Sequence, residues 1–206
     1  MKIHMVEQRS EEWFILKSGK LSGSTVDNIY KSTKAKFIDS IVADRLTGRV
    51  EINGFVNDAI QRGIDFEDFA KDEFSDKYNL KVTDVGFIEH NDYVGISPDG
   101  IVFGTDGNPL YGIEIKCPNT KELVGVFRTN KVPVSHLRQC LLQLYCMPTM
   151  QKVYYIVYDN RLEIYPMHVI EVKREEYTEE LEEMDDKIKS FIESVKKLEE
   201  SITNPF

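Results

Sequence analysis

The pattern of apolar and polar positions changes character at Val82. Upstream, apolar residues recur at helical spacing; downstream, VTDVGFIEHNDYVGISPDGIVFGTDGNPLYGIEIKCP alternates apolar and polar residues between Gly, Asn, Asp and Pro turn signals. Such alternation reads as three or four strands in hairpins, because successive strand side chains point to opposite faces. Ser10 followed by Glu11, Glu12 and Trp13 predicts a helix start, with the hydroxyl capping free amides and the acids facing the positive end. This helix should stop near Gly19, and a second start is expected at Ser22 to Thr25 in LSGSTVDNIY. Further helices are predicted from about Lys34 to Leu46 and from about Phe55 to Tyr78. A helical pattern returns near Ser135 through HLRQCLLQLYCM, followed by two strand candidates, KVYYIVYD and LEIYPMHVIEV, joined by a turn at Asp159 and Asn160. An acidic helix at about 175–200 closes the pattern, with TNPF as a frayed end. Helices, strands, helix, strands, helix: this order predicts an α/β (α+β) fold, a central mixed β-sheet flanked by helices, in one domain spanning 1–206.

Composition supports a packed core. The chain has 206 residues, 41% hydrophobic and 30% charged, which is too apolar for disorder and enough for one full domain. No apolar run approaches the roughly 18 residues that span a bilayer, and MKIHMVEQRSEEW lacks an apolar stretch after its lysine, so a cytoplasmic location is expected. Cys117, Cys140 and Cys146 form no CxxC pair, and an odd count argues for reduced thiols rather than a disulfide framework. The net charge of −9 at first counts against a nucleic-acid partner, since phosphate neutralisation needs Lys and Arg. Much of that acidity is concentrated in EEYTEELEEMDDKIKSFIESVKKLEE, so a basic channel elsewhere is compatible with it.

The chemistry is concentrated in SPDGIVFGTDGNPLYGIEIKCP. Asp99 precedes Glu114 by fifteen positions, and Lys116 follows with one apolar residue between. Glu114 and Lys116 share a strand face, and a turn at Asp106, Gly107 and Asn108 would fold Asp99 back beside them. Two carboxylates held together call for a shared proton or a cation, and hard oxygen ligands suit magnesium or manganese. A lysine there can position or deprotonate an attacking water and offset charge developing at phosphorus. Taken alone, Glu-Ile-Lys is an ordinary solvated strand face, and Pro-Asp-Gly an ordinary turn. Ile101, Ile113 and Ile115 are expected to make the opposite face apolar, which separates these charges from an all-polar loop.

SPDG, then IEIKCP, preceded by RGIDFED and followed by HLRQCLLQLY, resemble the lambda-exonuclease or YqaJ-type viral recombinase family of the PD-(D/E)XK nuclease superfamily. The resemblance implies a restriction-endonuclease-like fold and a metal site made by Asp99, Glu114, the Ile115 carbonyl and Glu67, with Lys116 as catalytic lysine. Gln139 matches the glutamine that begins the family's A-Q-x-Q helix. The second glutamine departs from that pattern: Leu141 stands two residues on, and the next glutamine is Gln143. By composition alone both glutamines read as solvent-facing residues of an amphipathic helix. Ser24, Ser97 and Lys17 match positions of a pocket for the 5'-phosphate of the digested strand, Lys17 standing where the family usually has arginine. Lysine is a point charge without arginine's fork. Ser24 as a helix cap and Lys17 as a surface charge are the plainer readings.

The implied activity is a Mg2+-dependent (or Mn2+-dependent) deoxyribonuclease, a 5'-to-3' exonuclease on double-stranded DNA that leaves 3' single-stranded tails for phage-type recombination. The implied partners are a single-strand annealing protein and further copies of the chain in a homotrimer, in the host cytoplasm if phage-encoded. Alternatives are an endonuclease of the same superfamily, a catalytically silent DNA-binding module, and a protein-interaction scaffold built on the acidic helix. Trp13 is read as a core anchor, Cys117 as a packing residue, and His4, His90, His136 and His168 as non-catalytic.

Overall fold

The computed structural model describes residues 1–48 and 58–204. A short strand β1 (Lys2–His4) precedes helix α1 (Glu11–Lys17), where Ser10 accepts a hydrogen bond from the Trp13 amide at 3.2 Å. Gly19, in the left-handed region at φ +64°, turns the chain out of this helix. The second expected start yields only a 3-10 helix, Val26–Tyr30, and its preceding Thr25 makes no side-chain cap. Ser24 is therefore not a helix cap. Helices α2 (Lys34–Thr47) and α3 (Asp58–Tyr78) follow, the predicted start of the latter at residues 55–57 lying outside the described residues.

The strands form two sheets rather than one. Strands β1, β2 (Phe87–Asn91) and β3 (Val94–Ile96) pair antiparallel in that order. The second sheet runs β4 (Gly100–Phe103), β5 (Pro109–Lys116), β6 (Lys152–Tyr158) and β7 (Met167–Lys173), with β5 and β6 parallel and the other pairs antiparallel. A parallel pair needs a long crossover, supplied here by α4 (Thr120–Thr129) and α5 (Val134–Cys146). Sequence patterning did not anticipate β1 or α4. The last strand begins at Met167 instead of Leu162, because residues 159–166 fold around Asp159, whose amide donates to the Pro166 carbonyl.

The acidic helix α6 (Thr178–Thr203) carries Met184, Ile188, Phe191 and Val195 at helical spacing, all completely buried. This stripe lies in the larger core with α2, α5 and the inner residues of β2, β3 and β6. A second cluster on the far side of the four-stranded sheet packs Phe74 of α3 against Ile113, Ile115, Tyr154 and Ile156. No helix among the described residues is long and apolar enough to cross a membrane.

Candidate active site

The β4–β5 hairpin sets the geometry. Gly100 pairs with Ile113, and the Asp99 amide donates to the Ile113 carbonyl at 3.2 Å. Asp99 Oδ2 accepts from the Ile115 amide at 2.6 Å, which fixes that carboxylate beside Glu114. Lys116 Nζ lies 2.5 Å from Glu114 Oε1. The expected meeting of two carboxylates and one ammonium is what the hairpin builds.

The face that carries them is not an open one. Ile101 pairs with Gly112 and so shares the Glu114 side of the sheet, in the larger core, rather than joining Ile113 and Ile115 on the opposite face. Helix α5 covers this side, and Glu114 is only 6% exposed. Its second oxygen accepts from Gln143 Nε2 at 2.7 Å. Gln143 is 2% exposed, so the solvent-facing reading is wrong for it: the buried carboxylate gives its amide a partner inside the protein. Gln139, one turn earlier, is half-buried and lines the same cavity.

Burial pushes the Asp99 carboxyl well above the usual range, and the nearby Glu114 and Glu67 charges push it further. Burial alone would lower the Lys116 ammonium, but the charges of Glu114 and Asp99 outweigh it and raise it well above normal. These carboxylate neighbours favour the ammonium form of Lys116, which suits charge stabilisation and water positioning. Glu67, on α3, points one oxygen at Arg9 Nη2, 3.0 Å away. No three His, Cys, Asp or Glu side chains among the described residues form a ready metal cluster. The donor chemistry nevertheless fits a hard divalent cation, because Asp99, Glu114 and Glu67 offer only oxygens, and burial together with the neighbouring Glu114 and Glu67 charges disfavours the Asp99 carboxylate while no cation is bound.

Lys17, Ser24 and Ser97 converge on the same place. Lys17 Nζ lies 3.2 Å from Ser24 Oγ and 4.5 Å over the Trp13 ring. The Trp13 indole donates to Ser97 Oγ at 2.7 Å and to the Gly86 carbonyl at 3.1 Å, so this 8%-exposed core residue also braces the pocket. A cavity of about 170 Å3 is lined by these residues together with Asp99, Glu114 and Lys116. Glu67 lines a neighbouring cavity of about 440 Å3 that meets the first at Gln8, Arg9 and Asp99. The Ile115 side chain is buried in the second core, leaving its backbone at the site.

With that geometry in place, residues 12–150 match the model of the YqaJ-like viral recombinase domain. The chain belongs to this family. Among solved structures, the YqaJ-like chain is similar to an alkaline exonuclease, LHK-Exo, from Laribacter hongkongensis, at 27% identity over 95% of this chain and 97% of that one, with a TM-score of 0.83. The structure of LHK-Exo in complex with dAMP gives the same values. A phage related exonuclease from Haemophilus somnus 129PT shares the fold at 14% identity, 90% and 96% coverage and a TM-score of 0.61. A comparison with curated protein sequences returned no significant match.

The remaining reactive side chains of this YqaJ-like domain have structural partners. His136 Nδ1 lies 2.7 Å from the Tyr155 hydroxyl, His90 Nδ1 lies 3.2 Å from the Cys146 carbonyl, and His168 Nε2 lies 2.9 Å from Asn130 Oδ1. His4 faces Glu89 at 3.5 Å. Burial pushes the Cys117 thiol up to about 12, as expected of a packing residue. Sequence reading missed Arg9, Ser22 and the contact made by Gln143.

Proposed function

We propose that the protein is a magnesium-dependent 5'-to-3' exonuclease acting on double-stranded DNA. The observation that carries this reading is the single cavity shared by Asp99, Glu114 and Lys116 on one side and Lys17, Ser24 and Ser97 on the other. An end-recognition pocket adjoining a hydrolytic centre is what an enzyme that removes terminal nucleotides requires, and the likeness to structures titled as exonucleases supports it.

Asp99, Glu114, Glu67 and the Ile115 carbonyl would hold magnesium, with manganese as a substitute. Bound there, the ion supplies Lewis acidity at the phosphoryl oxygens. Water attacks phosphorus in line with the departing 3'-oxygen of the terminal nucleotide, and that P–O bond breaks. Lys116, beside Glu114, orients the water and offsets charge growing on the phosphoryl oxygens. Gln143 fixes the Glu114 carboxylate, and Gln139 lines the same cavity. Each cycle leaves a new 5'-phosphate on the shortened strand, which Lys17, Ser24 and Ser97 receive in turn. The product is a 3' single-stranded tail for recombination, passed to a single-strand annealing partner. A homotrimer around the duplex would keep the enzyme on its track, and the setting is the cytoplasm of the cell that holds the DNA.

Linear duplex with and without a 5'-phosphate, beside a closed circle, tests the reading in magnesium. Wild type should consume the 5'-phosphorylated strand and spare the circle, and Glu114→Ala should lose activity by at least about a thousandfold, as for removal of a central electrostatic group. Cutting of the circle would make the protein an endonuclease, and no cleavage in magnesium or manganese would leave a DNA-binding module.

A further inference from the structure

Arg9 is the only non-glycine residue in the segment leading into α1 with its backbone in the left-handed region, at φ +68°. That conformation is disfavoured for a residue with a Cβ, and such positions concentrate where a side chain must be aimed. Here Arg9 lines both cavities, which meet at Gln8, Arg9 and Asp99. Arg9 donates from Nη2 to Glu67, while its side chain keeps 46% of its surface accessible. A guanidinium carries five donors in a planar fork.

The neighbouring phosphate pocket lacks such a fork. Lys17 is its cation, and that ammonium is already engaged with Ser24 and the Trp13 face. Arg9 lies just before the Ser10 cap of α1, and it lines the same cavity as Trp13 and Lys17. We propose that Arg9 supplies the planar, bidentate contact to the 5'-terminal phosphate, with Lys17 as the accompanying point charge. Resting on the exonuclease reading above, this assigns end selectivity to a pair of cations from the α1 segment. A counterion for Glu67 alone would account for the ion pair, but not for the place of Arg9 in the lining of the cavity that holds Lys17, Ser24 and Ser97.

The test compares wild type, Arg9→Gln and Arg9→Lys. Binding of a labelled duplex bearing a 5'-phosphate or a 5'-hydroxyl is measured by fluorescence anisotropy in EDTA, with melting temperatures as a check on folding. Wild type should favour the phosphorylated end by about tenfold or more, a factor that one charge-assisted hydrogen-bonded pair supplies. Arg9→Gln should lose most of that preference, and Arg9→Lys should keep only part of it. An unchanged preference in Arg9→Gln, equal weakening toward both ends, or no preference in wild type would overturn the assignment. Because cleavage is not read, a protein that prefers the phosphate in EDTA yet fails to digest DNA in magnesium would sink the exonuclease reading and leave this one standing.

Discussion

Gly112 lies two residues before Glu114 on the same strand face, where a Cβ would run into the Gln143 amide oxygen and come close to the Met150 sulfur. The missing side chain is what lets Gln143 reach down from α5 and hold Glu114. Gly112→Ala should therefore displace the amide and free the carboxylate. We expect kcat to fall at least about tenfold with KM for DNA nearly unchanged, and stability to drop by about 1–3 kcal/mol, the usual cost of overpacking. Gln143→Leu should reproduce the kcat loss without the clash; steady-state digestion of a 5'-phosphorylated duplex separates the two parameters. Asp99, Glu114 and Lys116 were legible in the sequence because strand periodicity and one turn bring them together locally. Gln143 was not, since a glutamine on an amphipathic helix looks solvent-facing until a buried carboxylate from a distant strand gives it a partner. The left-handed backbone of Arg9 left no trace in residue type either.

At the scale of elements, the loop that follows β6 ties several segments together. Asp159 is fully buried and joins three segments: it accepts from Thr120 Oγ1 at the start of α4, from Arg62 on α3, and from both the backbone and the guanidinium of Arg161. Burial would raise this carboxyl, but hydrogen bonds from Arg161 and Thr120 and the Arg62 charge outweigh it and hold it well below the ordinary range. A depressed folded pKa means stability that is present above the unfolded value of about 3.9 and is lost as pH falls toward the folded one. Asp159→Asn should cost about 3 kcal/mol in urea unfolding at pH 7, as when one member of a buried charged network is removed. The gap between variant and wild type should hold steady from pH 7 to about 5 and narrow as pH falls through the unfolded value of about 3.9, and a gap independent of pH there would deny the carboxylate its role. The same loop is where the strand expectation ran long: Pro166 and the Asp159 turn break a stretch whose composition reads as strand. Helix α4 was obscured by Pro118, although Asn119 caps it, its side-chain oxygen accepting from the Glu122 amide while its side-chain nitrogen donates to the Glu122 carboxylate, a cap residue readable in the sequence.

At the scale of the molecule, α6 decides whether the acidic third of the charge pattern is an appendage or part of the body. Acidic composition suggested a solvated tail, yet Met184, Ile188, Phe191 and Val195 are completely buried, and Phe191 stacks on Phe37 of α2 at 5.7 Å. Arg45 closes the contact: Nε pairs with Glu199 at 2.5 Å, Nη1 donates to the Asp92 carbonyl, and its guanidinium lies over the Tyr93 ring, so α2, α6 and the β2–β3 turn are joined at one side chain. Burying four such side chains contributes roughly 6–12 kcal/mol as an upper estimate. That is comparable with the whole stability of an ordinary domain, about 5–15 kcal/mol. We propose that residues 1–206 unfold as one cooperative unit, so that deleting residues 178–206 abolishes the thermal transition and the nuclease activity together. Phe191→Ala, which keeps the helix, should lower stability by about 3–5 kcal/mol and still melt in a single step by calorimetry. A deletion protein that melts cooperatively and digests DNA would return α6 to the status of an attached interaction helix, because its apolar stripe would then be dispensable to the fold that positions Asp99 and Glu114.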